Sequence, residues 1–277
     1  MNPRLNRRTA ALSPLRALAL ALIVMFVLSP SSGEARDLSA DRPDLTESPY
    51  TVDAGRVQIE SDVIRYSRDE DAGVQTETWL PLTLNLKLGL DGSTDFQLVT
   101  EWCRFERVTG PGATPSVERR GFGDMVFRLK RNLFGNDEGR VAVALLPFIS
   151  VPTSTNGVGD ESISAGIALP VAVDLGTGWS LGLMGEVDQL EDGDEDGRHL
   201  EYTGTATAGR ALFGPLGWFV EFAATLRPAR EGVWIGTADA GITYSLSQNT
   251  QLDGGTYVGV SDAADDITFF LGLTVRR

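Results

Sequence analysis

The sequence predicts an all-β chain, an antiparallel up-and-down transmembrane β-barrel of about twelve strands. Three observations carry that expectation. Apolar and polar residues alternate with a period of two through most of the chain, which puts successive side chains on opposite faces of a strand. The alternating segments are 11–16 residues long, whereas globular strands run to roughly 5–6 and bilayer-crossing strands need ~9–11 in the apolar band. The connections between them are alternately longer and shorter, as in outer-membrane barrels.

Composition narrows the function classes. The chain of 277 residues has 24 Lys+Arg against 38 Asp+Glu, a net charge of −14. That balance excludes a nucleic-acid binder, which needs a basic face to displace counterions. The single cysteine, Cys103, excludes an internal disulfide and a Cys-based zinc cluster. The single histidine, His199, excludes a multi-His metal site. No metal and no cofactor is expected. Glycine is enriched, with 31 residues.

Residues 1–35 read as a secretory signal peptide. Arg4, Arg7, Arg8 and Arg16 form a basic n-region, 17–28 is apolar, and Gly33 and Ala35 satisfy a small-x-small cleavage site. Twelve apolar residues span only ~18 Å as a helix, short of a hydrocarbon core of ~30 Å. Arg7-Arg8 lacks the apolar residues that follow a twin-arginine signal, so general secretion is expected. Cleavage leaves 20 basic against 37 acidic residues over 242 positions. The expected organisation is a signal at 1–35, a periplasmic or lumenal segment at 36–55, and a barrel over 56–277 in the bacterial outer membrane.

The strands are expected at 56–67, 75–90, 95–108, 120–133, 140–151, 161–175, 178–190, 198–213, 216–228, 232–246, 249–260 and 266–276. In 80–90 the leucines at 80, 82, 84, 86, 88 and 90 read as one outward face, against Pro81, Thr83, Asn85, Lys87 and Gly89. Trp179, Leu181, Leu183 and Val187 oppose Ser180, Gly182, Met184, Glu186 and Asp188 in the same way. Trp218, Val220, Phe222 and Leu226 oppose Phe219, Glu221 and Ala223, and Ile267, Phe269, Leu271 and Leu273 oppose Thr268 and Gly272. An even strand number suits a bacterial single-chain barrel. With the N-terminus in the periplasm, 68–74, 109–119, 152–160, 191–197, 229–231 and 261–265 face outside. The turns at 91–94, 134–139, 176–177, 214–215 and 247–248 face the periplasm. Aromatics near strand ends (Tyr66, Trp79, Phe134, Trp179, Tyr202, Trp218, Tyr244) fit interfacial girdles. A soluble β-sandwich is the alternative, and it needs no loop asymmetry.

The same alternation names the lumen. Glu60, Asp62, Lys87, Glu101, Asp124, Arg128, Lys130, Glu186, Asp188, Glu201, Glu221, Asp239 and Asp253 fall on inward positions. In a water-filled lumen they set selectivity, and their acidic excess favours cations. In a closed barrel they form a salt-bridged interior. Glycines at 89, 166, 182, 209 and 272 leave room inside. No catalytic residue is assigned: His199 is the lone imidazole, it borders the acidic run EDGDEDG at 191–197, and no G-x-S-x-G elbow is present. That run does not have the spacing of a calcium loop.

Ahead of the first strand lies DRPDLTESPYTVDAGRVQIES at 41–61, with Asp41, Arg42, Pro43, Asp44, Thr46, Glu47, Ser48, Pro49 and Gly55 as its distinctive residues. It resembles the opening of the outer-membrane proteins grouped as the phenol-degradation meta-pathway transporter family. GFGDMVFRLKRNLF at 121–134, ALLPFISVPTST at 144–155 and FFLGLTV at 269–275 extend the resemblance over the mature chain. Membership implies a barrel passing small, aromatic or hydrophobic molecules. The ending Val275-Arg276-Arg277 departs from the terminal aromatic that barrel-assembly machinery reads, so either Phe269 and Phe270 serve instead or assembly is less efficient.

The expected function is passive passage of small solutes by a monomer whose partners are outer-membrane lipid, the solute and the assembly machinery. Two alternatives stay open: a closed structural barrel whose acidic loops bind partners or cations, and an outer-membrane lipid hydrolase. The charged residues Asp41, Arg42, Asp44 and Glu47 are plug candidates able to enter the lumen and pair with Arg128, Lys130 or Lys87.

Overall fold

The computed structural model describes residues 35–110, 116–192, 197–228 and 232–277. The expected signal peptide therefore lies outside the described residues, save for Ala35. Fourteen strands form one antiparallel sheet: β1 (Val57–Asp71), β2 (Val74–Asp91), β3 (Thr94–Glu101), β4 (Arg104–Thr109), β5 (Val117–Gly121), β6 (Met125–Phe134), β7 (Val141–Val151), β8 (Ser164–Gly176), β9 (Trp179–Glu191), β10 (Arg198–Phe213), β11 (Leu216–Arg227), β12 (Val233–Ser247), β13 (Thr250–Gly259) and β14 (Ile267–Arg276). β1 pairs with both β2 and β14, which closes the sheet on itself. β2 pairs with β3 below and β4 above, and these two pair with β6 and β5 respectively. Each couple is thus one stave with a break, and the closed barrel has twelve staves.

The period-two pattern sorts side chains between two very different surroundings. Gln58, Glu60, Asp62, Lys87, Asp95, Gln97, Lys130, Glu221, Asp239 and Asp253 are all buried, on the inner face. Leu129, Ile167, Leu169, Leu183, Val220, Phe222, Ile242, Leu252 and Leu271 are exposed, on the outer face. Charge inside and continuous apolar surface outside is the reverse of a water-soluble fold, and it fits a barrel set in hydrocarbon. Among the described residues no helix is long and apolar enough to cross a membrane, which leaves the strands to do so.

Two expectations need correction. The segment 68–74 is not an outer loop: β1 and β2 run on to Asp71 and Val74 and meet in a two-residue turn. Ala72 (φ +49°) and Gly73 (φ +79°) are both left-handed there, which matches the twist of a tight hairpin. Nor do the six leucines of 80–90 share a face. A bulge at Val63 shifts β1 against β14, so that Asp62 opposes Gly272 but Ile64 opposes Leu271. In β2, Leu82 is left-handed (φ +65°), and the pleat flips there as well. Leu84, Leu86 and Leu88 keep the outward face below it. Above it Trp79 and Pro81 take that face, with Trp79 against Tyr66 at 5.1 Å. The dislocation continues across the neighbouring staves through the breaks at 102–103 and 122–124. There the Trp102 amide donates to the Leu82 carbonyl at 3.2 Å and the Gly123 amide to Glu101 at 3.0 Å. Phe122 and Trp102 pack edge to face at 5.8 Å. Phe122 closes a buried cluster with Leu86, Leu98 and Met125.

Candidate functional site

The lumen is occupied by the chain's own N-terminal segment. It enters at the end carrying the short turns, where Arg276 donates to the carbonyls of Arg36 (2.6 Å) and Asp37 (3.2 Å). It turns back on itself and leaves into β1. Arg36 and Asp53 tie its two limbs together at 2.5 Å, and the Gly55 amide donates to the Gly89 carbonyl at 2.8 Å.

Each residue of the Asp41–Pro49 block meets a built receptor. Asp41 lies between Lys87 (2.5 Å) and Lys130, while its amide donates to Glu60 at 3.0 Å. Burial alone would raise the Asp41 carboxyl, yet Lys130 and Lys87 hold it well below the usual range. The Arg42 guanidinium bridges β1 and β13, donating to Asp62 at 2.7 Å and to both oxygens of Asp253 at 2.7 and 3.1 Å. The Pro43 carbonyl accepts from the Tyr257 hydroxyl at 2.8 Å. Glu221 receives the amides of Leu45 and Thr46 (2.7 and 2.8 Å) and the Thr46 hydroxyl (2.5 Å). Glu47 pairs with Arg128; burial, with the Asp41 carboxylate adding to it, pushes Glu47 up to about 7 against the pull of Arg128. The Pro49 carbonyl accepts from Asn132 at 2.9 Å, and the Val52 amide donates to Asp95 at 3.0 Å.

Asp44 is different. Burial and the neighbouring Glu221 carboxylate push it up to about 8, with the Thr207 hydrogen bond opposing them. It alone of the block's four charged side chains makes no ion pair among the described residues.

Three inward glycines give the segment its seat. A Cβ at Gly89 would collide with the backbone of Val52 and Asp53 and one at Gly272 with the Arg42 guanidinium, while one at Gly182 would collide with Thr207 of the wall and press on Thr46.

A sequence profile described as "Putative MetA-pathway of phenol degradation" matches residues 40–276. The chain belongs to this family. The match begins one residue before Asp41, so the family pattern includes the lumenal block as well as the staves. Among solved structures, an outer membrane channel from Pseudomonas putida F1 superimposes with a TM-score of 0.61 at 13% identity, over 86% of this chain and 99% of that one. The transport unit of the autotransporter AIDA-I from Escherichia coli gives 0.50 at 10% identity, over 93% and 97%. Likeness at this identity speaks for the fold, an outer-membrane type of barrel. No curated protein matches the chain in sequence.

Within this family member the sequence-predicted lumen residues divide into groups. Glu60, Asp62, Lys87, Arg128, Lys130, Glu221 and Asp253 hold the segment. Glu186 and Asp188 sit together on β9, with Asp188 opposite Glu201 of β10. Glu201 is bound to Arg227 at 3.0 Å and to His199 at 3.2 Å, and His199 also meets Asp192 at 2.6 Å. Glu101 lies 3.5 Å from Arg104. Asp124 faces the outer loop, capping the amides of Thr153 (2.8 Å), Ser154 (2.9 Å) and Asp160 (2.6 Å). Asp239 lies between Glu221 and Tyr257 in register. Most of the acidic run beside His199 (193–196) lies outside the described residues.

Sequence reading missed Asp53, Gln58, Asp95, Asn132, Tyr257 and Arg276. Gln58, Asp95 and Asn132 share the strand parity of Glu60, Gln97 and Lys130, so the signal was present; attention to charge alone passed over two of them.

Proposed function

We propose that this chain is an outer-membrane channel through which small solutes pass passively, and that segment 36–55 is a plug that narrows it. The observation carrying this reading is a closed barrel, polar within and apolar without, whose bore holds a tethered segment of its own chain. The family's phenol-degradation description supports small aromatic or hydrophobic solutes as the cargo class. The lumen side chains would then set selectivity and seat the plug, with no covalent chemistry. Both ring nitrogens of His199 are engaged by carboxylates, which argues against an imidazole base. The barrel closes within one chain, which supports a monomer. Residues 1–35 would direct export, and the assembly machinery would insert the barrel.

Planar-bilayer recording tests the reading. Deleting 36–50 should raise single-channel conductance several-fold over the full chain, while the variant keeps the heat-modifiable gel mobility of a folded barrel. Equal conductance would remove the plug. An absence of current from both proteins would favour the closed structural barrel, a reading that the tight seating of the plug also supports.

A further inference from the structure

The broken staves leave a groove on the outer wall of the barrel. Above the flip at Leu82, the row Tyr66, Trp79, Phe105, Arg120 crosses β1, β2, β4 and β5 in register. These side chains point away from the bore, whereas the adjacent Arg65 turns inward over the Tyr257 ring. Two cavities open along the row. One of about 700 Å³ has Ile64, Trp79, Pro81 and Phe105 as its floor. The β4–β5 hairpin rims it, with Arg107 paired to Glu118 at 3.0 Å and Arg119 to Glu106 at 3.4 Å. The other, of about 450 Å³, sits at the stave break between Trp102, Phe105 and Phe122, with Cys103, Thr155 and Asn156 at its edge. Phe105 and Arg120 line both.

Arg120 sets this groove apart from the rest of the apolar wall. The chain carries a net charge of −14, so carboxylates are plentiful. Yet among the described residues the Arg120 guanidinium makes no ion pair, hydrogen bond or ring contact. Other arginines without a carboxylate find other partners: Arg140 and Arg198 donate to backbone carbonyls, and Arg210 lies over Trp179. The carboxylate two residues along β5, Glu118, is already held by Arg107.

Height along the strands supplies a second, independent pointer. Arg120 is level with Tyr66 and Trp79, whose rings meet at 5.1 Å, and aromatics near strand ends sit at the headgroup level of a bilayer. Ile64 and Pro81 lie one step nearer the midplane, while Arg107 lies one step nearer the loop end. Apolar floor, aromatic pair and free guanidinium thus follow one another in the order of an amphiphile seen from tail to head. A guanidinium fork matches the oxygens of a phosphate. Two apolar lobes flanking a single cation suit a head that carries several acyl chains.

We propose that this groove binds one phosphorylated, multiply acylated glycolipid of the outer leaflet. Its phosphate rests on Arg120, with acyl chains against Ile64, Pro81 and Phe105 on one side and Trp102 and Phe122 on the other. The site lies on the outer wall, so its occupancy is independent of whether the bore conducts.

Native mass spectrometry of the mature protein folded in detergent tests the site, with bis-phosphorylated lipid A as the probe. One lipid A per barrel should be retained ahead of any further adduct. Arg120→Gln should weaken that binding at least about tenfold. Arg140→Gln removes the same charge at the opposite end of the barrel and should leave it unchanged. Both variants should keep the heat-modifiable gel mobility of a folded barrel. Lipid A stripped of its phosphates should bind the parent and Arg120→Gln equally, and about as weakly as the phosphorylated lipid binds Arg120→Gln. An Arg120→Gln protein that retains lipid A as the parent does overturns the site. So do equal losses in the two variants, or a parent indifferent to the phosphates. Displacement of lipid A by millimolar inorganic phosphate overturns the lipid as occupant; its retention supports it.

Discussion

Asp44 and Asp41 are three residues apart and carry the same group, yet the seated lumenal segment treats them oppositely. Asp41 is clamped by Lys87 and Lys130, so its charged form is favoured. Asp44 is buried, faces Glu221 from the barrel and has Glu47 within its own segment, so its neutral form is favoured up to about 8. The seated state therefore holds a proton that the released segment gives up in the ordinary carboxylate range. Linkage then makes seating strongest on the acid side of that window and weaker as pH rises through about 8. Glu47, raised to about 7, acts in the same sense. Asp41 acts in reverse, losing its contribution only in strong acid. Amide hydrogen exchange over 36–50 should accordingly be faster at pH 9 than at pH 6, beyond the intrinsic base-catalysed increase measured on a peptide of the same sequence. Asp44→Asn should flatten most of that difference. None of this was readable beforehand. Strand parity says which side chains face inward, but it gives neither the depth at which a flexible segment stops nor which of two carboxylates meets the lysines.

The staves themselves were legible because hydrocarbon outside and a polar bore inside impose one rule on every inward and outward position. β8 to β14 follow that rule along their lengths, with register shifts confined to their ends near the short turns, and the expected segments coincide with them to within a few residues. The rule failed where the pleat flips. The leucines of 80–90 alternate straight through Leu82, so nothing in their spacing announces the left-handed residue (φ +65°) among them. The reversal became visible only through pairing with β1 and β14. Leu82 also carries a cost that its neighbours do not, since a side chain in the left-handed region is disfavoured by roughly 1–2 kcal/mol. Leu82→Gly should recover part of that cost and offset its lost side chain, whereas Leu84→Gly should remove a buried side chain with no such return. Urea unfolding followed by loss of heat-modifiable mobility should rank Leu82→Gly as the milder change. An equal or greater loss at position 82 would show that Leu82 contributes packing outweighing its backbone conformation.

At the scale of the molecule, the barrel and the lumenal segment are held by different forces. Every seam of the twelve staves is a backbone ladder, including the closing β1–β14 seam; none of these ladders passes through residues 36–50. Removing that stretch should leave the barrel closed but alter its field. It takes away Arg36 and Arg42 together with Asp37, Asp41, Asp44 and Glu47, more negative than positive charge. The loss is also uneven in space. Lys87, Lys130 and Arg128 lose the Asp41 and Glu47 carboxylates that pair with them, while Glu60 stays beside Lys87, Asp95 opposite Lys130 and Glu186 near Arg128. The acidic side of the bore loses just one cation, Arg42, from Asp62 on β1 and Asp253 on β13. The basic wall thus gains the larger share of uncompensated charge, in a wider bore where water screens each wall separately. Deletion should therefore widen the channel and move its reversal potential in a salt gradient toward anions, relative to the full chain. Raising ionic strength should shrink that movement. A wider channel with undiminished cation preference would mean that the acidic wall alone governs selectivity and that the lysines remain neutralised from within the barrel.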